Sequence, residues 1–198
     1  MTVATPPNWD RASVITWLTD NVPPARVKHI LRVETLSQDL AQQHQLNEAQ
    51  AAQAGLMHDL AKYFPPKRLL QTARQHQLPI DPIDEANPHL LHAQISAIVA
   101  QEEFKITDPE LLAAIRNHTL GQPQMSLLSC VVFLADSLEP GRGNHPQLQA
   151  VREISRQNLY HAVALVCDLT MQHLLKTQRL IHPRMVLTRN WAWLQIQS

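Results

Sequence analysis

A histidine and an aspartate are adjacent in the apolar stretch GLMHDLAK, residues 55–62. Burying an ionised carboxylate costs free energy unless it is paired or bound to a metal, and histidine is a common metal ligand. The dipeptide alone is weak evidence, because 11 histidines among 198 residues give about 0.5 His-Asp pairs by chance. Its context carries more weight, since the small and apolar residues from 51 to 57 predict that His58 and Asp59 are buried.

Four further segments each contain one polar exception among apolar residues, and each segment is predicted to be a different helix. The exceptions are His29, His92, His118 and Asp136. Metal sites in helical bundles take one or two ligands from each facing helix. With the pair above, the chain offers four imidazoles and two carboxylates, which could hold two divalent ions such as Fe, Mn, Co, Ni or Zn. The remaining histidines are expected in structural or surface positions: His44, His76, His89, His145, His161, His173 and His182.

The elements that must position these residues are predicted to be helices. Apolar residues recur mostly at spacings of three and four, and strict alternation is almost absent. Prolines and capping residues mark where the helices begin and end. The predicted helices cover about residues 11–18, 24–43, 48–62, 67–76, 88–101, 109–119, 127–138, a short piece after 146, 158–179 and 183–193.

These helices predict an all-α, single-domain helical bundle, which is the architecture expected at this length. Residues 1–22 are expected to form an N-terminal extension with a short helix. Residues 23–198 are expected to form the bundle, including the C-terminal helices. We find no internal repeat, low-complexity segment or domain linker in the sequence.

Composition argues against several classes of protein. Seventeen basic and 17 acidic residues give zero net charge, so a nucleic-acid or membrane partner is not expected. The longest apolar run, residues 127–135, is too short to span a bilayer, and the N-terminus has no apolar signal region. Cys130 and Cys167 are expected to be reduced core thiols. A cytoplasmic protein is therefore expected, and a homodimer is left open.

The order of the six candidate ligands resembles a known signature. His29, then His58-Asp59, then Asp136 resembles the H…HD…D pattern of the HD-domain metal-dependent phosphohydrolases, and the two intervening histidines resemble its two-metal branch. From about residue 24 to 193 the chain is similar to the YqeK family of symmetrical bis(5'-nucleosyl)-tetraphosphatases. The segments that carry the likeness are HILRV (29–33), HDLAK (58–62), LLHAQISA (90–97), AIRNHTLG (114–121), LADSLEPGR (134–142) and HPRMVLTRN (182–190).

The resemblance implies an HD-type bundle that hydrolyses diadenosine tetraphosphate symmetrically to two ADP at a dinuclear, iron-type centre. A metal-bridged hydroxide would attack a phosphorus in line, because bound metal lowers the pKa of water. Two ligand sets are implied: His29, His58, Asp59 and Asp136 for one ion, and His92 and His118 for the other, with Asp59 bridging.

Several side chains near these motifs are candidate substrate contacts. Lys62 lies one helical turn after His58 and Asp59, and Arg142 follows the motif of Asp136. Lys62 and Arg142 are expected to bind phosphate and take part in catalysis with Asp59, the alternative for both cations being a solvated surface charge.

Three further residues have weaker assignments. Arg32, one turn beyond His29, could bind phosphate or hold a ligand carboxylate. Thr119 could offer its hydroxyl to a phosphate. Glu139 could orient a metal-bound histidine.

The chain departs from the family pattern at three places. Ala93 replaces a usual glycine, Leu120 replaces a frequent threonine, and Ser129-Cys130 stand where an Asp-Lys pair is common. These departures bear on substrate contacts and remove no candidate ligand.

Two other functions stay open from the sequence. One is an HD-domain phosphohydrolase acting on another nucleotide, such as a monophosphate or an alarmone. The other is a non-catalytic module that binds metal or senses nucleotides. The complete set of six candidate ligands favours an enzyme over the second alternative.

Overall fold

Residues 9–197 are described by the computed structural model, and within that range the chain is helical with no strand. This confirms the predicted all-α class. The helices are α1 (Arg11–Asn21), α2 (Pro24–Gln43), α3 (Glu48–Met57), α4 (Pro66–Gln75), α5 (Pro82–Ala86), α6 (His92–Glu103), α7 (Pro109–Asn117), α8 (Leu127–Leu138), α9 (Pro146–Ser155), α10 (Leu159–Lys176) and α11 (Pro183–Gln197), with short 3-10 turns at Pro88–Leu91 and Pro140–Arg142.

Most helices begin where the sequence predicts, because the starting residues satisfy the free amides of the first turn. The carboxylate of Asp10 accepts hydrogen bonds from the amides of Ala12 and Ser13. Asp108 caps α7 in the same way, and Ser126 caps α8 through the amide of Ser129. Proline occupies the first position of several other helices, where its missing N–H leaves no hydrogen bond unmade.

Three features near the site differ from the prediction, besides shifts of a few residues at other helix ends. Helix α3 ends at Met57 and not near Lys62, because residues 58–63 form consecutive turns in which the amide of Lys62 bonds to the carbonyl of Asp59 at 3.1 Å. The predicted helix from residue 88 begins as a 3-10 turn, and α6 starts only at His92. The short helix α5 was not predicted; it begins with a capping box formed by Asp81 and Asp84.

Helix α8 lies at the centre of the bundle. Nine of its 12 residues are buried, and it contacts α2, α3, α7, α9 and α10. Cys130 of α8 and Cys167 of α10 are buried free thiols, as the sequence predicts. The central helix therefore carries Asp136 on a rigid support.

Helix α1 contributes Val14 and Leu18 to the same hydrophobic core. The division between an extension at residues 1–22 and the bundle stays a prediction, and residues 1–8 and 198 lie outside the described range. Among the described residues, no helix is both long and apolar enough to cross a membrane.

Candidate metal centre

Five helices bring the six candidate ligands to one place, mostly at their ends. All except Asp136 are buried, and the Asp136 side chain is 19% exposed. At a helix end the backbone leaves the helical conformation, so the side chains of consecutive residues can point towards the same site. His29 lies within α2, His58 and Asp59 follow α3, His92 opens α6, His118 follows α7, and Asp136 lies in the last turn of α8.

The four imidazole rings share one hydrogen-bonding pattern. In each ring Nδ1 faces an oxygen that can only accept a hydrogen bond, so Nδ1 carries a proton and, in the neutral imidazole, Nε2 carries the lone pair. The acceptors are the Glu139 carboxylate for His29 (2.9 Å), and the carbonyls of Gly55 for His58 (2.6 Å), His89 for His92 (2.5 Å) and Ile115 for His118 (2.8 Å).

The Nε2 atoms face one another and the carboxylates, with few hydrogen-bond partners. Nε2 of His29 and of His58 is buried without a partner. Nε2 of His92 lies 3.0 Å from Nε2 of His118. Two unprotonated nitrogens cannot hydrogen-bond to each other, so a cation between them would relieve this contact. The donor set therefore fits divalent metal ions with mixed nitrogen and oxygen ligands.

The two oxygens of Asp59 face two different groups of ligands. Oδ2 lies 3.4 Å from His58 Nε2 and 4.0 Å from His29 Nε2. Oδ1 lies 3.2 Å from His92 Nε2 and 3.6 Å from His118 Nε2. A second carboxylate, that of Asp136, lies 3.0 Å from His29 Nε2. One carboxylate thus connects two sets of imidazoles.

Electrostatics keep the site's protonation states suited to metal binding. Burial raises the pKa of Asp59, but the rings of His58, His118 and His92 outweigh it when they carry a proton towards the carboxylate, and they hold that pKa well below its usual range. A cation bound between neutral rings would stabilise the carboxylate in the same way. Burial lowers the pKa of His92 to about 4, despite the opposing attraction of Asp59. Asp59 is therefore ionised and His92 neutral at pH 7, which are the forms that bind metal.

Glu139 supports His29 from the side away from the other ligands. Its carboxylate accepts hydrogen bonds from His29 Nδ1, from Arg32 and from the amide of Gly141. Burial raises the pKa of Glu139, but the bonds from Arg32 and His29 prevail and lower it to about 2. An ionised Glu139 holds the ring of His29 through this hydrogen bond. That it orients a metal-bound histidine stays a prediction.

Arg32 is placed on Glu139, with Nη2 at 3.3 Å from Oε1 in addition to the contact from Nε. This contact holds the carboxylate of Glu139, which is not one of the six candidate ligands, so the expected role of holding a ligand carboxylate stays a prediction. A contact from Arg32 to phosphate stays a prediction.

Two of the predicted substrate contacts lie beside His92. Lys62 Nζ is 3.1 Å from His92 Nε2, and Thr119 Oγ1 is 3.2 Å from the same atom. Burial lowers the pKa of Lys62, although the carboxylates of Asp59 and Asp136 partly oppose this. Both side chains are therefore within reach of a group bound at the cluster.

Arg142 lies next to Asp136. Its Nη2 donates to Asp136 Oδ1 at 2.5 Å, and its Nε donates to the Asp136 carbonyl at 2.7 Å. The Arg142 side chain is 38% exposed, so its guanidinium contacts both solvent and the candidate metal ligand Asp136.

Arg26 belongs to the site but was missed from the sequence. Its Nη1 donates to Asp59 Oδ2 at 3.1 Å. The available signal was its position three residues before His29, which places both side chains on one face of α2. Arg26 adds a third cation to the surroundings of the cluster.

Comparisons with known proteins agree with this geometry. A family model described as HD domain matches residues 26–141. The symmetrical bis(5'-nucleosyl)-tetraphosphatase of Bacillus subtilis (strain 168) is 33% identical over 166 residues, which are 84% of this chain and 88% of the relative. A protein of the same name from Halalkalibacterium halodurans is 35% identical over 86% of this chain and 90% of its own.

A solved structure is also similar. It is a crystal structure from Clostridium acetobutylicum described as an HD superfamily hydrolase involved in NAD metabolism. The TM-score is 0.90 at 28% identity, covering 94% of this chain and 98% of the other. The similarity therefore extends over the whole bundle.

Proposed function

The chain belongs to the HD domain family, and from this premise we propose that it is a metal-dependent hydrolase that cleaves diadenosine tetraphosphate symmetrically into two ADP. The names of the two bacterial relatives support the substrate and the symmetry of cleavage. Their alignments span most of both chains, so the likeness includes the C-terminal helices as well as the ligand-bearing ones.

The observation that carries the proposal is the position of Asp59. Its two oxygens face separate imidazole groups, with Oδ2 near His58 and Oδ1 near His92. This supports two ion sites that share one carboxylate. The proposed ligands are His29, His58, Asp59 and Asp136 for the first ion, and Asp59, His92 and His118 for the second.

Iron is the proposed metal, and Mn, Co, Ni and Zn also suit this mixed donor set. Bound divalent ions would supply Lewis acidity, which lowers the pKa of coordinated water and neutralises phosphate charge. The four proposed imidazole ligands are kept in the tautomer that binds metal by their Nδ1 hydrogen bonds.

The chain's cations would position the polyphosphate. Lys62 and Thr119, which lie beside His92, would donate hydrogen bonds to phosphate oxygens. Arg142, which lies beside Asp136, would contact a second phosphate while it remains bonded to Asp136. Cations beside both proposed ligand groups suit a substrate that carries several phosphates.

Product analysis tests the proposal. The purified protein is incubated with diadenosine tetraphosphate and Fe²⁺, Mn²⁺ or Co²⁺, and the products are separated by nucleotide chromatography. ADP as the only product is expected. ATP plus AMP as products would contradict symmetric cleavage. If, in a panel of substrates, the protein hydrolyses only a nucleotide monophosphate or an alarmone, that nucleotide replaces diadenosine tetraphosphate as the substrate.

Elemental analysis of the same preparation separates an enzyme from a non-catalytic module. Two metal ions per chain are expected. Far less than one ion per chain, together with no hydrolysis of any nucleotide, would contradict the metal-dependent mechanism.

A further inference from the structure

A second cluster of buried polar side chains lies outside the metal centre, where α11 begins beside α5. It comprises Asp84, Gln94, His182 and Arg184, which we call the α5–α11 cluster. These residues line a cavity of about 420 Å³ together with Pro79, Ile80, Asp81 and Pro82. Asp84, Gln94 and His182 are each at most 9% exposed.

Three polar atoms of this cluster are buried without a hydrogen-bond partner. Asp84 uses Oδ2 to accept from the amide of Asp81 at 3.1 Å, whereas its Oδ1 has no partner. Nδ1 of His182 accepts from the amide of Arg184 at 3.1 Å, so the ring proton is on Nε2, which has no partner. Nε of Arg184 is also unpartnered.

Buried polar groups are almost always satisfied by protein, water or a ligand. The cluster presents one open carboxylate acceptor and two open N–H donors. His182 Nε2 is 3.5 Å from Asp84 Oδ2, too far for a good hydrogen bond. These groups therefore remain available to a molecule in the cavity.

The charges of the cluster select against an anion. Burial lowers the pKa of Arg184, while the carboxylate of Asp84 opposes this. The cationic guanidinium and the anionic carboxylate offset each other, so a neutral polar ligand is favoured over free phosphate. Pro79, Ile80 and Pro82 add apolar surface against which a flat ring can lie.

We propose that the α5–α11 cluster binds a purine base that carries an exocyclic amino group. The amino group would donate to Asp84 Oδ1. A ring nitrogen or carbonyl of the base would accept from Arg184 Nε or His182 Nε2. Gln94 can donate and accept, and so can complete the contacts along the edge of the base.

The cluster is connected to the metal centre through two helices. Gln94 and the proposed ligand His92 both lie in the first turn of α6. Thr188 of α11 donates to the carbonyl of Leu120 at 3.0 Å, next to Thr119. The purine could thus belong to the proposed nucleotide substrate or to a free nucleoside. The assignment to the nucleotide substrate rests on the proposed function, whereas binding of a free nucleoside does not.

Nucleoside binding tests the proposal without any catalytic step. Isothermal titration calorimetry with the full chain compares adenosine, guanosine, purine riboside and cytidine. Adenosine is expected to bind at least 10-fold more tightly than purine riboside, which lacks the amino group, and more tightly than cytidine. No binding of adenosine or guanosine at millimolar concentration would overturn the proposal.

The Asp84→Asn variant tests the residue assignment. The asparagine oxygen must still accept from the Asp81 amide, so its NH₂ group would replace the open acceptor. A loss of at least 10-fold in adenosine affinity is expected, whereas unchanged affinity would overturn the proposal. Asp10→Asn, which also alters a helix-capping aspartate, is the matched control.

Gln94→Ala provides a second variant if Asp84→Asn unfolds, which a thermal scan by circular dichroism would show. It is expected to weaken adenosine binding several-fold, and an affinity equal to that of the wild type in every variant that folds would overturn the proposal. Competition assays then identify the source. Adenosine that competes with diadenosine tetraphosphate supports a substrate subsite, and binding without competition supports a separate nucleoside site.

Discussion

At the scale of single residues, Asp59 is the centre of the site. Its oxygens lie near four imidazoles and also accept a hydrogen bond from Arg26. It is fully ionised at neutral pH because its neighbours hold its pKa well below the usual range. Removing this one charge should therefore affect both proposed ions at once.

We expect Asp59→Asn to lower hydrolysis by roughly 1,000-fold, or about 4 kcal/mol of barrier. Metal content should fall below two ions per chain. Nucleotide chromatography and elemental analysis measure the two effects. Asp20→Asn, at an exposed position of α1, is the control. Full activity in Asp59→Asn would contradict the proposed bridging role of Asp59.

Glu139 acts through His29 and so has a different expected effect. Glu139→Gln should weaken metal binding by about 10- to 100-fold, because the ring of His29 loses its ionised acceptor and Arg32 loses its partner. Competition with a chromogenic chelator measures the affinity. The control Glu153→Gln, on α9, should leave the metal affinity unchanged. If Glu139→Gln binds metal as tightly as this control, Glu139 does not have the proposed role.

Lys62 is expected to affect the substrate more than the metal. Lys62→Met should lower kcat/KM by about 10- to 100-fold, the effect of losing one hydrogen bond to a charged group. Metal content should stay the same, and Lys67→Met on α4 serves as the control. A matching loss of metal would instead indicate that Lys62 mainly supports His92.

At the scale of elements, the end of α3 decides how His58 and Asp59 are presented. The predicted helix would have continued to Lys62, but the chain turns at His58. The carbonyl of Gly55 remains free to accept from His58 Nδ1. Gly55 also lets α3 lie against α2, which carries His29, so this contact sets the separation of two proposed ligand groups.

Gly55→Ala tests that contact. An added Cβ would lie 2.7 Å from Ser37 Oγ and 3.1 Å from the Cα of Glu34, so α2 and α3 must separate. We expect a loss of about 1–3 kcal/mol in the free energy of unfolding, measured by urea denaturation. Ser37→Ala should stay near wild type, since its buried hydroxyl has no partner. If Gly55→Ala leaves the free energy of unfolding unchanged, α2 and α3 can separate without cost, which contradicts the proposed role of Gly55.

At the scale of the whole molecule, the bundle encloses four imidazole nitrogens and two carboxylates whose lone pairs face one another. Ligands reach this point from five helices spread between His29 and Asp136. An ion that binds only this folded arrangement must stabilise it. Metal binding and global stability are therefore linked.

Chelation is expected to lower the melting temperature of the whole chain. For a free metal concentration 1,000 times the dissociation constant, the lost stabilisation is about 4 kcal/mol per site. Differential scanning calorimetry with and without EDTA measures it, and added Mn²⁺ should restore the transition. Identical transitions in both conditions would contradict a metal bound inside the bundle.

Local chemistry made several features predictable from the sequence. The all-α class follows from apolar spacing, and most helix starts follow from prolines and caps that act within one turn. The six candidate ligands were recognisable because a polar side chain in an apolar helix needs a partner. All six lie within residues 26–141, which the HD domain family model matches.

Other features depend on contacts between residues far apart in the chain. Arg32 and Glu139 are 107 residues apart, and only the packing of α2 beside the end of α8 joins them. The sequence predicts an ordinary loop position for His182, yet the packing at the start of α11 brings its Nε2 to 3.5 Å from Asp84 Oδ2, beside the cavity of the α5–α11 cluster. Residue types and helical periods are local properties, whereas the partner of a buried polar atom is decided by how helices pack. The sequence alone therefore determined the helical class and the candidate ligands, and the tertiary structure decided which groups face each other.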